Sequence, residues 1–285
     1  MALSRTQDFL RIPCPDQPVS RVSTPQGCAQ LQGLIFDFDG TLVDSELELH
    51  LPAFNQAFAD AGLPWHWDVP RYLQLLAVPG GRQRIRAWIE TQCPDMDTKG
   101  RDTLATELHA AKNARIQQRL EQHPLTLRPG VRTLLTDAQH NGLCLGIAST
   151  AHSKTIESTM TQALEVDVWT IFDCIVGGNQ VERVKPAPDV YLKALQQLQL
   201  DESRVIAIED SQTGLAAARA AGLVTVISRN TLTRDEDFTG AALVLNEIAP
   251  TGDEATPDAS EKIPAGRALT LEHLCALLSP GHTRF

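Results

Sequence analysis

Residues 34–46 read LIFDFDGTLVDSE, and this stretch decides the fold class of the chain. Its apolar, strand-prone start, Leu34–Phe36, predicts a short buried strand that leads directly into two carboxylates, Asp37 and Asp39. Two acids at the end of a buried strand are costly unless a cation or a substrate neutralises them. Gly40 then allows the backbone to turn and to approach a ligand closely. The pattern indicates a site in which one carboxylate attacks an electrophile and the other transfers a proton.

Strand-like runs alternate with helical stretches through the rest of the chain. The runs are Leu34–Phe36, Leu143–Ala148, Cys174–Val176, Val205–Ile208 and Val224–Ile227, and the helix candidates lie near 130–141, 153–164, 187–199 and 212–221. Such alternation predicts an α/β fold, a Rossmann-like parallel sheet with helices on both faces. Ligands of these sheets bind outside the carboxyl ends of the strands. One pocket is therefore expected to collect four residues that follow strand ends: Asp37, Ser149, Lys185 and Asp210.

An insert between the first two strands shows no strand alternation. It contains three helix candidates, at 53–61, 82–91 and 103–122, which predict a separate helical cap. The expected domains are a loosely ordered N-terminal arm at 1–30, a core formed by 31–46 and 126–285, and the cap at 47–125. Within the core, residues 250–266 are expected to form a polar loop and residues 268–278 a short closing helix.

The composition is that of an ordinary globular protein, with 42% of 285 residues hydrophobic and a formal net charge of −10. The negative charge argues against nucleic acid or an anionic membrane as the main partner. No apolar run approaches the roughly 20 residues of a membrane span, and the N-terminus lacks the apolar segment of a signal peptide. Six cysteines without CxxC pairs predict thiols in a reducing compartment. We expect a cytoplasmic monomer, with the plastid stroma as the alternative location.

Four separated motifs resemble those of the haloacid dehalogenase-like hydrolases. They are the stretch at 34–46, GIAS at 146–149, VKPAPDVY at 184–191 and AIEDSQTG at 207–214. The match to that family extends over about residues 31–245. The resemblance implies a Mg²⁺-dependent phosphatase that works through an aspartyl-phosphate intermediate and carries its cap at the position of the insert.

The resemblance also implies a role for each motif residue. Asp37 is the expected nucleophile, and Asp39 is the expected proton donor and then general base. Lys185 is expected to offset negative charge, while Ser149 and the Thr150 backbone are expected to bind the phosphate. The expected Mg²⁺ ligands are Asp37, the backbone carbonyl of Asp39, Glu209 and Asp210.

The cap is expected to select the substrate. A loop that reads AVPGGR contains Gly80 and Gly81, which permit close backbone approach, and Arg82, which is placed to pair with a second phosphate. Tyr72 precedes this loop and is a further candidate substrate-binding residue. The aromatic pair Trp65 and Trp67, in the neighbouring Trp65-His66-Trp67 stretch, is expected in the core of the cap rather than on a sugar-binding surface.

These cap features resemble the CbbY-like subgroup of phosphatases, which are associated with the Calvin cycle and act on xylulose-1,5-bisphosphate. The resemblance implies a small sugar phosphate, in particular a pentulose bisphosphate, as the substrate. One spacing departs from the subgroup, because its D-S-E-x-x-H pattern is one residue longer here, so that Glu46 or Glu48 takes the substrate-facing position. A phosphosugar mutase of the β-phosphoglucomutase type shares every core motif and is the alternative function.

Overall fold

The computed structural model describes residues 30–78, 80–122, 124–249 and 268–279. The predicted arm, apart from residue 30, and the predicted loop at 250–266 lie outside these ranges. The chain divides into two compact units, a smaller one at residues 44–125 and a larger one formed by the segments on either side. The smaller, helical unit begins at residue 44 where the sequence pattern predicts residue 47.

A six-stranded parallel sheet forms the centre of the larger unit. Its strands are β1 Gly33–Phe36, β2 Cys144–Ala148, β3 Cys174–Val176, β4 Val205–Glu209, β5 Val224–Ser228 and β6 Leu243–Leu245, in the order β3-β2-β1-β4-β5-β6. Every residue of β1 to β4 is buried, as expected for a sheet with helices on both faces. The α/β prediction is confirmed. Among the described strands, only β6 is missing from the sequence-based assignment, although the equally short β3 is predicted.

The helices of the described chain occur in both units. In chain order they are α1 Leu51–Asp60, α2 Val69–Leu76, α3 Gly81–Gln92, α4 Thr98–Gln122, α5 Val131–His140, α6 Ser153–Leu164, α7 Asp189–Leu198, α8 Gln212–Ala220 and α9 Leu271–Leu278. The predicted helices of the larger unit lie within two residues of α5 to α8. Helix α2 is not predicted, although Asp68 caps it by accepting a hydrogen bond from the Arg71 backbone at 2.8 Å.

An aromatic cluster forms the core of the helical unit. The centroid of the Trp67 ring lies 4.9 Å from that of Phe54 and 4.8 Å from that of Phe58, and the Trp67 side chain is fully buried. Trp65 packs edge-on against Phe58 from a partly buried position. The prediction that the two tryptophans belong to the core of this unit is confirmed.

Two further expectations from the sequence concern membrane spans and cysteines. In the ranges that the structure describes, no helix has the length and apolarity to cross a bilayer. Cys93 and Cys174 carry free thiols, whereas Cys144 and Cys275 are each disulfide-bonded. The expectation of free thiols is therefore wrong for Cys144 and Cys275.

Candidate active site

Asp37 stands at the carboxyl edge of the sheet because its backbone extends the pairing of β1 with β4. Its N–H donates to the carbonyl of Ile208 at 2.9 Å, which places it beside the end of β4. Gly40 follows at a φ of 86°, and its N–H closes a turn on the carbonyl of Val43 at 2.7 Å. A Cβ at Gly40 would collide with the carboxylate of Asp210. Glycine is thus required both for the turn and for the close approach of Asp210.

Lys185 joins two buried carboxylates. Its Nζ lies 2.5 Å from Asp37 Oδ1 and 2.6 Å from Glu209 Oε1. Tyr191, which the sequence reasoning did not single out, donates its hydroxyl to the same Glu209 oxygen at 2.7 Å. The Tyr191 ring also lies 4.9 Å from the ammonium of Lys185. The sequence held one signal for Tyr191, because it ends the same VKPAPDVY motif that supplies Lys185.

Glu209 is the most heavily hydrogen-bonded carboxylate of the site. Besides Lys185 and Tyr191 on one oxygen, its other oxygen accepts from the Asp210 backbone at 3.0 Å and from the Ser211 hydroxyl at 3.3 Å. Ser211 also caps α8 by accepting from the Gly214 N–H at 3.1 Å. A Cβ at Gly214 would overlap the Glu209 carboxylate, so the first turn of α8 packs directly on it.

The site holds more buried negative charge than its cations balance. Oxygen atoms of Asp37, Glu209 and Asp210 lie within 4.8 Å of one another. Burial raises the pKa of Asp37 to about 7 although Lys185 opposes the shift, and burial with Glu209 and Asp37 raises the pKa of Asp210 well above its ordinary value. Burial also disfavours ionised Glu209, but Lys185, Tyr191 and the Asp210 backbone together lower the pKa of that carboxyl. A cluster of buried carboxylate oxygens suits a hard divalent cation.

Ser149 and Thr150 follow β2, the strand next to β1. The register pairs Phe36 with Ile147, so Ser149 lies at the same edge of the sheet as Asp37. Ser149 is buried and its Oγ accepts from the Ala151 N–H at 3.2 Å, whereas Thr150 is exposed. The larger unit thus brings Asp37, Lys185, Glu209 and Asp210 together and places the second motif at the end of the adjoining strand.

The helical unit contains a second polar cluster, around Glu46. The Tyr72 hydroxyl donates to Glu46 Oε2, and Arg84 Nη1 donates to the Tyr72 hydroxyl at 3.1 Å. Arg84 is buried and also donates to the carbonyl of Leu75 at 3.1 Å, whereas the predicted Arg82 is exposed. Burial disfavours ionised Glu46, but His50, Tyr72 and Arg84 together lower its pKa.

A π-helical turn over Glu46–His50 accommodates the extra residue in the spacing of this segment. The N–H of Leu51 bonds to the carbonyl of Glu46, five residues back, where an α-helix would bond four back. Glu46 therefore occupies the polar cluster, while Glu48 is exposed. Of the two glutamates that the sequence left open, Glu46 is therefore the one that belongs to this cluster.

His50 completes the cluster through Lys112. Lys112 Nζ lies 3.0 Å from His50 Nδ1, so the ammonium donates to a neutral imidazole. Burial and Lys112 lower the pKa of His50 to about 4. Lys112 was missed by the sequence reasoning, yet a signal existed, because it stands four residues after Leu108 and four before Ile116 in the buried stripe of α4.

The two glycines of the AVPGGR loop have structural reasons of their own. Gly80 precedes α3 at a φ of 86°, a conformation that favours glycine. A Cβ at Gly81 would lie 3.1 Å from the His109 ring and 3.3 Å from Phe54. Gly81 thus allows close packing of α3 within the helical unit.

The chain is similar in sequence and in structure to known proteins. A family model of haloacid dehalogenase-like hydrolases matches residues 34–228. The CbbY protein of Cupriavidus necator is 41% identical over 80% of this chain and 88% of its own, and that of Rhodobacter capsulatus is 37% identical over 80% and 99%. A solved structure of a CbbY variant from Rhodobacter sphaeroides in complex with xylulose-1,5-bisphosphate has a TM-score of 0.67, with 35% identity over 76% of this chain and 94% of that one.

Proposed function

The chain belongs to the haloacid dehalogenase-like hydrolases and is a phosphoric monoester hydrolase, and from that premise we propose that it dephosphorylates a pentulose bisphosphate, with xylulose-1,5-bisphosphate as the first candidate. The observation that carries the chemistry is the buried contact of Asp37 with Lys185 at the sheet edge, next to Asp210. The substrate class is supported by the CbbY relative, which was crystallised with this sugar bisphosphate.

The proposed reaction has two steps. Asp37 attacks phosphorus in line, so that a bond from its carboxylate to phosphorus forms while the bond from phosphorus to the sugar oxygen breaks. Asp39 donates a proton to that leaving oxygen and afterwards removes a proton from the water that attacks the aspartyl-phosphate. The second step releases inorganic phosphate and restores both carboxyl groups. Lys185 favours the ionised form of Asp37, and Ser149 with the Thr150 backbone donates to the phosphate.

We propose Mg²⁺ as the cofactor, held by Asp37, the backbone carbonyl of Asp39, Glu209 and Asp210. The residues fit this ion because they are hard oxygen donors and carry more buried negative charge than their cations balance. When bound, the ion supplies positive charge that neutralises the phosphoryl oxygens. Asp210 contributes to this site through its side chain.

The proposed substrate-binding residues of the helical unit are Glu46, Tyr72, Gly80, Gly81 and Arg82. In this proposal Glu46 accepts hydrogen bonds from sugar hydroxyls, and Tyr72 holds Glu46 in place from a fully buried position. Arg82 is exposed and pairs with the distal phosphate. The buried cations Arg84 and Lys112 add positive charge to the cluster, which suits an anionic substrate.

The test is phosphate release by the purified protein with Mg²⁺ on a panel of sugar mono- and bisphosphates, with Asp37→Asn as the inactive control. We expect the highest kcat/KM on xylulose-1,5-bisphosphate. A clear preference for a monophosphate would contradict the proposed substrate and leave the phosphatase chemistry intact. Conversion of β-glucose 1-phosphate to glucose 6-phosphate without phosphate release would instead establish the mutase.

A further inference from the structure

We infer that Asn230 is a positioning residue that fixes Asp210 as a one-oxygen metal ligand and thereby favours Mg²⁺ over larger divalent ions. Asn230 lies in the loop after β5, outside the four motifs of the sequence analysis. The inference rests on the proposed Mg²⁺ site and adds to it a residue that determines its selectivity.

The side-chain amide of Asn230 joins two parts of the site. Its Nδ2 donates to Asp210 Oδ2 at 2.7 Å and lies 3.3 Å from the carbonyl oxygen of Gly40. A Cβ at Gly40 would stand 2.6 Å from the same nitrogen. One amide group therefore holds both the turn that follows β1 and the carboxylate that follows β4.

Asn230 is itself fixed by a local turn. Its Oδ1 accepts from the backbone N–H groups of Leu232 at 2.8 Å and Thr233 at 3.1 Å. Its own N–H donates to the Thr233 hydroxyl at 3.2 Å. Because two donors face the amide oxygen, the NH₂ group must be the end that faces Asp210. The loop thus presents a donor to this carboxylate in a defined orientation.

Arg128 strengthens the same connection from a buried position. Its guanidinium donates to the carbonyl of Gly40 and, at 2.6 Å, to the carbonyl of Arg229, the residue before Asn230. It also lies 3.3 Å from the carbonyl of Ser228. The turn after β1 and the loop after β5 are therefore connected by the Arg128 guanidinium, which bonds to backbone carbonyls of both, as well as by the amide of Asn230.

The selectivity follows from which Asp210 oxygen is engaged. A neutral donor on Oδ2 leaves the carboxylate its charge but opposes a rotation that would offer both oxygens to one ion. Mg²⁺ requires a compact octahedral shell with single carboxylate oxygens, whereas Ca²⁺ readily takes bidentate carboxylates. Loss of the Asn230 donor should therefore weaken the binding of Mg²⁺ more than the binding of Ca²⁺.

The experiment measures metal binding directly, by titration calorimetry of the metal-free full-length chain with Mg²⁺ and with Ca²⁺, without substrate. Asn230→Ser keeps a hydroxyl that can accept from the loop N–H groups but loses the donor to Asp210. Thr233→Val weakens the same turn but keeps that donor. Asn141→Ser makes the matched change at an asparagine whose amide bonds only locally, to the Asp137 carbonyl at 2.8 Å.

We expect Asn230→Ser to raise the Kd for Mg²⁺ by about 10–100-fold and to lower the preference for Mg²⁺ over Ca²⁺. In Thr233→Val and in Asn141→Ser, the Kd for Mg²⁺ and the preference for Mg²⁺ over Ca²⁺ should stay close to those of the wild type. Equal losses for both ions, unchanged Mg²⁺ binding in Asn230→Ser, or an equal effect of Thr233→Val would overturn the inference. If the wild type does not bind Mg²⁺, the proposed cofactor is wrong and the inference fails with it. If it binds Mg²⁺ but does not hydrolyse the bisphosphate, only the proposed substrate fails.

Discussion

At the scale of single residues, the chemistry depends on how few cations face the buried carboxylates. Lys185 contacts Asp37 and Glu209 at once, so each carboxylate receives only part of its charge. Breaking a buried ion pair leaves an uncompensated charge, which typically costs 3–5 kcal/mol. Tyr191 reduces this cost by adding a neutral donor to Glu209.

The first prediction concerns the two acids after β1. Asp37→Asn should abolish phosphate release, because an amide does not form the aspartyl-phosphate. Asp39→Asn should be slower than wild type by about 10²–10⁴-fold, because proton transfer to the leaving oxygen is lost. Phosphate release assays and the mass of the intact protein after substrate addition check both variants. Turnover near wild type in either variant would remove that residue from its proposed role.

The second prediction concerns Arg82. Arg82→Ala should lower kcat/KM for xylulose-1,5-bisphosphate by about 10–150-fold, because one charge-assisted contact to the distal phosphate is lost. The kcat/KM for a monophosphate should be nearly unchanged. Arg86→Ala is the matched control, since Arg86 is on the same helix but pairs with Asp102 at 2.6 Å. Equal losses on both substrates in Arg82→Ala would show that Arg82 is structural. Arg84→Ala should affect both substrates, because Arg84 acts on Glu46 through Tyr72.

At the scale of elements, the π-helical turn shows how a one-residue insertion is absorbed. An extra residue in an α-helix rotates everything beyond it by about 100°. Here the wider turn over Glu46–His50 takes up the extra residue, so that Glu46 and His50 remain in one cluster. Neighbouring helices enforce this solution, because His50 must meet Lys112 on α4.

The third prediction is a deletion of Glu48, which restores the shorter spacing. Because Glu48 is exposed and the turn only accommodates its presence, we expect an ordinary α-helical turn in its place. The kcat/KM should stay within about threefold of wild type, and Tm should rise as a regular hydrogen-bond pattern returns. Glu48→Ala separates the side chain from the insertion. A large loss of activity in the deletion, with Glu48→Ala unaffected, would mean that the π-helical turn itself is needed.

The fourth prediction is a pH dependence of the helical unit. His50 has a folded pKa of about 4, below its unfolded value, so its contribution to stability is present above about pH 6.5 and is lost as the pH falls towards 4. The loss is at most about 3 kcal/mol. In His50→Gln, whose side chain can still accept from Lys112, urea unfolding should show a flatter pH profile over this range. Identical profiles in the two proteins would contradict the assignment.

At the scale of the whole molecule, the charge of −10 opposes an anionic substrate, so local positive charge must outweigh the overall field. Each unit contains buried cations of its own, Lys185 in the larger one and Arg84 and Lys112 in the helical one. The proposed ion would add positive charge beside Lys185, at the edge of the sheet.

The fifth prediction is stabilisation by Mg²⁺. An ion that binds the folded chain but not the unfolded chain raises the free energy of unfolding. At an ion concentration 100 times the Kd this stabilisation is about 2.7 kcal/mol, and the Tm should rise accordingly. Removal of metal with EDTA should abolish phosphate release, and Mg²⁺ should restore it better than Ca²⁺. In Asp210→Ala the Tm should no longer respond to Mg²⁺. Full activity in excess EDTA would rule out the metal site.

The sequence alone was sufficient for the sheet and for the residues at its edge. Alternating strand and helix patterns are local, and Asp37 and Asp210 directly follow strands while Lys185 lies in the segment between β3 and α7, so the order of elements was enough to bring them together. It also placed Trp67 in the core of the helical unit correctly. Strand β6 was not predicted, although β3, which has the same length, was.

Tertiary structure decided the residues that act on others. Asn230, Tyr191, Arg84 and Lys112 make their contacts with side chains or carbonyls brought close by folding, and no local pattern specifies those partners. The π-helical turn that places Glu46 in the polar cluster and leaves Glu48 exposed was likewise not evident from the sequence. Local sequence determines which elements form and which residues stand at their ends. The contacts that orient a carboxylate or an imidazole join distant parts of the chain, so only the packed structure shows them.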